Sequence, residues 1–233
     1  MELVYPPVVA FAKTMFRVLD MRITVEGAEH IPTSGGAVLA SNHVSYLDFI
    51  FCGLAAQPSR RLVRFMAKQS VFRHRVSGPL MRGMKHIPVD RAAGTAAFTE
   101  AEAALRRGEV VGVFPEATIS ESFTVKAMKT GAARLAEAAQ VPLIPMVVWG
   151  PHRLWTKNRP KDLTKRHVPV LIRVGEPIPP TEGDATPVLR TRLGELLDAV
   201  QRAYPDKPAG EGDRWWLPAH LGGSAPLPDP ALA

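Results

Sequence analysis

Between residues 21 and 204, short apolar runs alternate with stretches of helical spacing, and no other feature of this sequence restricts its fold as much. Val110-Val111-Gly112-Val113-Phe114 carries no polar side chain and reads as a buried strand running into Pro115-Glu116. Ala37-Val38-Leu39-Ala40, entered from the turn residues Thr33-Ser34-Gly35-Gly36, and Leu143-Ile144-Pro145-Met146-Val147-Val148 are of the same kind. Residues 22 to 26 alternate as a half-exposed strand. Leu62 to Ala67 form another, ending at Lys68, and His86-Ile87-Pro88-Val89 a short one ending at Asp90-Arg91. Val168 to Val174 is the last, with Pro169 required at its start or edge because proline donates no ladder hydrogen bond. Phe98, Ala101 and Leu105 have helical spacing up to the stop Arg106-Arg107-Gly108. A second helix is expected from about Met128 to Gln140, and Leu189, Leu193, Leu196, Leu197 and Val200 trace a third from about Pro187 to Tyr204. Strands alternating with helices in this way predict one α/β layer domain over residues 21–204.

Two segments lie outside that alternation. Residues 1–20 contain the apolar run Val4 to Ala12, then Met15, Phe16, Val18 and Leu19, with Lys13 and Arg17 interposed. Such an amphipathic helix either packs on its own core or lies in a membrane interface with its basic residues toward the headgroups. No basic secretory leader precedes it, and no stretch reaches the ~18 apolar residues of a spanning helix. Residues 205–233 form a Pro/Gly-rich C-terminal tail with Trp215-Trp216 as its expected anchor. Inside the domain, Phe72, Arg73, His74, Arg75, Leu80, Met81, Arg82 and Lys85 read as a basic surface segment.

The stretch Ser41-Asn42-His43-Val44-Ser45-Tyr46-Leu47-Asp48 follows directly on one of the buried runs. In a continuous helix His43 and Asp48 would lie roughly 140° out of phase, so a contact between them needs a break in the chain. Ser45 is expected to supply it as the N-cap of a helix with Asp48 in its first turn, leaving Asn42 and His43 in the strand-to-helix turn. There the imidazole can fold back onto the carboxylate, which would fix its tautomer and leave the outer nitrogen free as a general base. The same residues also fit a plain turn histidine and a helix-terminal acid.

Four strand ends bring polar groups together: Asn42/His43, Lys68, Asp90/Arg91 and Pro115/Glu116. A base, its orienting acid, two cations and a carboxylate suit a hydroxyl-bearing phosphate ester, with the base on the hydroxyl, the cations on the phosphate and Glu116 on the remaining oxygens. Lys68 and Arg91 equally suit solvated strand ends. The net charge of +7 calls for an anionic partner, whether nucleic acid, phosphorylated small molecule or anionic lipid surface. Cationic residues spread over a sheet fold, without interleaved aromatics or a recognition helix, argue against nucleic acid. The single Cys52 excludes an internal disulfide and a cysteine metal cluster, and its apolar surroundings read as packing. There is no Gly-x-x-x-x-Gly-Lys loop, no His-Glu-x-x-His and no acidic metal cluster, so neither nucleotide hydrolysis nor a catalytic metal is implied and no cofactor is expected; the missing Gly-x-Ser-x-Gly elbow argues against a Ser-His-Asp hydrolase. His30, His74, His86, His152, His167 and His220 read as turn or surface residues.

Asn42-His43-(four residues)-Asp48 resembles the first motif of the glycerolipid acyltransferases, a family typified by the 1-acylglycerol-3-phosphate acyltransferases. Ile87-Pro88-Val89-Asp90-Arg91 resembles their second motif, and Phe114-Pro115-Glu116-Ala117-Thr118-Ile119-Ser120 their third, usually Phe-Pro-Glu-Gly-Thr-Arg-Ser. Val141-Pro142-Leu143-Ile144-Pro145 resembles the fourth, and Ala67-Lys68 and Lys129-(one residue)-Gly131 fall at familiar places. The resemblance spans about residues 20 to 175. It implies a single mixed sheet flanked by helices, with the N-terminal helix as an extension. It further implies transfer of a fatty acyl chain from acyl-CoA or acyl carrier protein to the sn-2 hydroxyl of a lysophospholipid, 1-acylglycerol 3-phosphate. His43 would be the base and Asp48 its orienter; Lys68, Arg91, Glu116, Thr118, Lys126 and Lys129 would surround the acceptor and its phosphate, and Asn42, Pro115, Gly131 and Pro145 would hold the motifs in place. The acceptor hydroxyl attacks the thioester directly, so neither Ser41 nor Ser45 is expected as a nucleophile. A bilayer-borne acceptor places the protein peripherally at an anionic membrane surface, on its cytoplasmic face.

Two positions depart from the family pattern. Ala117 replaces the usual Gly, which disfavours a positive φ there. Ile119 replaces the usual Arg, which in the family is associated with the acceptor phosphate. Either Lys68, Arg91, Lys126 or Lys129 substitutes for that cation, or the acceptor is glycerol 3-phosphate or another polar lipid or glycolipid. The non-enzyme alternative is a basic binding module in which His43 and Asp48 are structural.

Overall fold

The computed structural model describes residues 2–90 and 94–228. The apolar runs become strands covered on both faces: β2 (Ala37–Ser41) and β6 (Leu143–Trp149) are buried at every position, and β5 (Val110–Val113) at all but its last. β1 (Arg22–Glu26) alternates between exposed and half-buried. With β3 (Val63–Lys68), β4 (Ile87–Val89) and β7 (Pro169–Val174) they form one seven-stranded sheet in the order β1-β7-β6-β2-β5-β3-β4. The sheet is mixed because β6 and β7 pair antiparallel while the other neighbours are parallel. Pro169 is the first residue of β7, where its missing N–H is tolerated.

Helices cover both faces. On one, α1 (Tyr5–Val18) and α2 (Asp48–Ala55) bury Ala12, Phe16, Phe51 and Cys52 against Leu39, Ile144 and Met146, with the Phe16 and Phe51 rings stacked at 4.8 Å. Each such ring stabilises the fold by roughly 1.5–3 kcal/mol through the apolar area it removes from water. On the other, α5 (Gly94–Arg106), α6 (Gly131–Ala139) and α7 (Thr186–Arg202) pack on Val38, Ala40, Val111 and Val147. The short helices α3 (Gln69–Arg73) and α4 (Ser77–Gly83) fill the connection from β3 to β4. Pro6 and Pro7 sit in the first turn of α1, where no intrahelical donor is needed. Among the described residues no helix is long and apolar enough to cross a membrane.

Three sequence expectations change. α2 starts at Asp48 behind Leu47, later than expected, but Ser45 closes the turn into it: its hydroxyl accepts the Leu47 N–H at 3.0 Å, its N–H donates to Asp48 Oδ2 at 2.7 Å, and the same hydroxyl donates to the Trp155 carbonyl at 2.7 Å. The segment from Phe72 to Lys85 is not all surface, because Phe72, Gly78, Met81 and Met84 are buried while Arg73, Arg75, Arg82 and Lys85 stay exposed. His86 and His152 are buried too, His86 against Tyr5 and Phe65 and His152 against Trp149 and Phe123. Trp216, fully buried beside Tyr204 in the core under α7, ties down the C-terminal segment.

Candidate active site

β2 and β6 are parallel neighbours, and where β2 ends the Asn42 side chain continues their ladder. Its Nδ2 donates to the Val148 carbonyl at 3.1 Å and its Oδ1 accepts the Val148 N–H at 2.8 Å. The backbone can therefore leave the sheet at His43 without stranding polar groups on β6. From there the turn is held at every backbone group. His43 N–H donates to Glu116 Oε1 at 2.9 Å, and its carbonyl accepts the Ser120 N–H at 2.7 Å. Val44 and Ser45 N–H both donate to Asp48 Oδ2, at 2.8 and 2.7 Å. The Thr156 hydroxyl donates to the Val44 carbonyl at 2.7 Å, and Asp48 N–H to that of Ser45 at 3.3 Å.

The same Asp48 Oδ2 lies 3.0 Å from His43 Nδ1. Asp48 is fully buried; burial pushes its carboxyl upward against the pull of the His43 ring and the two backbone donors. A carboxylate at Nδ1 holds the proton there, which puts the lone pair on Nε2. The His43 side chain is 20% exposed, and Nε2 has no protein partner among the described residues. Its ring stacks on Phe114 at 4.3 Å, and Phe114 stacks on Phe65 at 5.9 Å. Gly112 makes room for that column, since a Cβ there would come within 2.4 Å of the Phe65 ring. The chain thus builds a rigid, half-open imidazole with its outer nitrogen facing out.

Several expected acceptor-binding residues lie elsewhere or are already engaged. Glu116 is buried, with Oε1 on His43 N–H and Oε2 on Lys126 N–H at 3.1 Å, and burial pushes its carboxyl up to about 7. Lys126 directs its ammonium to the Thr118 carbonyl and hydroxyl and the Ile119 carbonyl, so its donors close the loop after β5. Thr118 is exposed and accepts from Lys126. Ile119 is buried at 6% exposure. Ala117 adopts φ +60°, against expectation, because the chain must reverse sharply for Glu116 to reach back under His43. Pro115 accepts the Lys129 N–H, Gly131 opens α6, and Pro145 pairs with Ala40 inside the sheet. Lys68 ends β3 and, like Lys129, is exposed with no side-chain partner among the described residues. Arg91 lies outside the described residues.

The turn also depends on residues the sequence did not flag. Thr156 and Trp155 reach it from the connection after β6, more than 100 positions away, with nothing local to announce them. Ser120 was within reach, since it closes the third motif.

A family model described as Acyltransferase matches residues 22–149. The chain is 28% identical over 188 residues to the 1-acyl-sn-glycerol-3-phosphate acyltransferase of Bacillus subtilis, covering 79% of this chain and 88% of that one. It is 31% identical over 209 residues to 1-acyl-sn-glycerol-3-phosphate acyltransferase alpha of Bos taurus, covering 87% and 70%. The crystal structure of the 1-acyl-sn-glycerophosphate (LPA) acyltransferase PlsC from Thermotoga maritima shares the fold with a TM-score of 0.70 at 23% identity, over 87% of this chain and 81% of that one.

Proposed function

The chain belongs to the acyltransferase family, and from that premise we propose that it moves a fatty acyl chain from a thioester donor, acyl-CoA or acyl carrier protein, to the sn-2 hydroxyl of 1-acylglycerol 3-phosphate, giving phosphatidic acid. The observation that carries the reading is the 3.0 Å contact between His43 Nδ1 and the buried Asp48, which leaves Nε2 free as a base. Nε2 takes the proton of the acceptor hydroxyl as its oxygen attacks the thioester carbonyl. Asp48 stabilises the imidazolium, and the collapsing intermediate expels the thiolate, which takes the proton from Nε2. The names of the Bacillus and Bos relatives support the acceptor. Lys68 and Lys129, exposed and without a side-chain partner among the described residues, are free to meet its phosphate. The buried Ile119 favours a second reading, an acceptor that is glycerol 3-phosphate or another polar lipid or glycolipid. Incubating pure protein with labelled palmitoyl-CoA and each acceptor in turn decides between them; no transfer to any acceptor would sink both readings.

The acceptor lives in a bilayer, so the protein works from the membrane surface, on the cytoplasmic face. The support is α1 and its approach: Leu3, Phe11 and Val18 are 72%, 71% and 62% exposed on the side opposite the buried Tyr5, Ala12 and Phe16, with Lys13 and Arg17 also exposed. Deleting residues 1 to 19 would open the core at Phe16, so the test is Leu3→Ser with Phe11→Ser and Val18→Ser. These changes should weaken binding to anionic liposomes without lowering the thermal midpoint; undiminished binding would refute the anchor.

A further inference from the structure

Two successive peptide groups carry the His43 turn, and each is pinned at both of its ends. In a trans peptide the C=O and the following N–H point opposite ways. In the peptide between His43 and Val44, the N–H donates to Asp48 Oδ2 at 2.8 Å and the C=O accepts the Ser120 N–H at 2.7 Å. In the next, between Val44 and Ser45, the N–H donates to the same Asp48 Oδ2 at 2.7 Å and the C=O accepts the Thr156 hydroxyl at 2.7 Å. The first peptide is thus held on its carbonyl side by a backbone donor and the second by a single side chain. Val44 is fully buried, and among the described residues no other donor reaches its carbonyl. Without the Thr156 hydroxyl that oxygen is left unpaired in the interior unless its peptide turns away.

Thr156 is itself fixed from both sides. It is buried at 3% exposure, in a strap of four residues, Trp155 to Asn158, that follows β6. On one side the Trp155 carbonyl accepts the Ser45 hydroxyl at 2.7 Å and the Tyr46 N–H at 3.3 Å, and the Trp155 ring lies 4.8 Å from that of Tyr46. On the other, Lys157 Nζ and Asn158 Nδ2 donate to the two oxygens of Glu121, the neighbour of Ser120, at 2.5 and 2.6 Å. The strap therefore joins the His43 turn to the loop after β5, and Thr156 is where it meets the second peptide. Asp48 Oδ2, at the other end of that peptide, also meets His43 Nδ1 at 3.0 Å. If the peptide turns, the Ser45 N–H leaves this oxygen, and the carboxylate that orients the imidazole loses one of its three contacts. Displacement of a reacting group by a fraction of an ångström is costly to a proton transfer.

We propose that Thr156 is a positioning residue for acyl transfer: through the Val44–Ser45 peptide and Asp48 Oδ2 it fixes the direction in which His43 Nε2 meets the acceptor hydroxyl. This rests on the acyl-transfer reading above and adds to it a residue that has no bond to the imidazole.

The test is a donor series at one position. Thr156→Ser keeps the hydroxyl, Thr156→Cys replaces it with a weakly donating thiol, and Thr156→Val keeps the branched shape with no donor. Two readouts are taken on the full chain: transfer from palmitoyl-CoA, and exchange with water of the His43 Nδ1 proton, followed by NMR. Thr156→Val should lower kcat per folded molecule by ~10-fold or more and leave KM near wild type, with Thr156→Ser close to wild type and Thr156→Cys between them. Exchange of the Nδ1 proton should quicken in the same order. His152→Ala, a stability loss away from the turn, should change neither readout. If Thr156→Val does not fold, the Ser and Cys variants still decide. Equal kcat across the folded variants, a loss that the serine does not restore, or an Nδ1 exchange rate indifferent to the donor would each overturn the proposal. A wild-type chain that transfers to no acceptor, with Nδ1 exchange still following the donor, would instead refute the functional reading and leave Thr156 as the residue that positions the ring.

Discussion

His43 and His152 each follow the C-terminal end of one of two paired strands, His43 two residues beyond β2 and His152 three beyond β6. Their surroundings differ in two respects. His43 has a carboxylate on Nδ1 and an open Nε2, whereas His152 donates Nε2–H to the Trp216 carbonyl at 3.0 Å and leaves its buried Nδ1 without a partner. Burial between Trp149 and Phe123, with Arg153 beside it, pushes the His152 ring down to about 3, so it stays neutral. A histidine at the functional edge of a sheet becomes a candidate base only when a carboxylate fixes one nitrogen and solvent or substrate reaches the other. Without both it is a packing residue with one donor.

The sharpest way to break this contrast is to truncate both rings. His43→Ala should lower kcat by ~10²–10⁴ with an unchanged thermal midpoint, the range for loss of a general base. His152→Ala should lower the midpoint and leave kcat per folded molecule intact. Unimpaired turnover in folded His43→Ala, or a catalytic loss without a stability loss in His152→Ala, would reverse the roles. The anchor over His152 gives the next largest effect. Trp216 is fully buried and carries Arg153 over its ring at 4.5 Å, so Trp216→Ala should cost about 3–5 kcal/mol in denaturant unfolding. A loss under about 1 kcal/mol would mean that the C-terminal segment is not held by this ring.

Acid titration separates the buried histidines from the turn. His152 and His86 are pushed down to about 3 and about 4 from an ordinary 6.5, so as pH falls below 6.5 the unfolded chain takes protons that the folded one refuses. Each site then removes about 1.4 kcal/mol of stability per pH unit, until pH about 4 for His86 and about 3 for His152. Glu116 works the other way: raised to about 7 from 4.5, it keeps a proton in the fold that the unfolded chain has released, and restores a similar amount between pH 7 and 4.5. These three groups therefore give a shallow loss from pH 6.5 to 4.5 and a steeper one just below. His152→Gln, which keeps an N–H for the Trp216 carbonyl, should remove one share of the slope; an unchanged slope would show that the ring is not neutral in the fold.

What the sequence disclosed follows the range of the interactions. The strands were legible because β2, β5 and β6 are apolar on both faces, and the dyad because Asp48 lies only five positions from His43. The local contacts of Ser45, to Leu47 N–H and Asp48, are legible in the same way, whereas its bond to the Trp155 carbonyl, 110 positions away, is not. The burial of His152 depends on Trp216, 64 positions away, and nothing in the sequence says that the Glu116 oxygens reach the backbone of residue 43, 73 positions away.

Ala117 supplies the smallest test, confined to the His43 side of the comparison. A non-glycine residue in the left-handed region costs roughly 1–2 kcal/mol, and Ala117 is held there at φ +60° by the bonds that bring Glu116 under His43. Glycine removes that strain but adds about 0.5–1 kcal/mol of chain entropy to the unfolded state. Ala117→Gly should therefore raise stability by about 0.5–1 kcal/mol, with kcat and the His152-dependent acid slope unchanged. A measured loss of stability would mean that the turn after β5 relaxes in solution to a negative φ, and the clamp from Glu116 to the backbone of His43 would go with it.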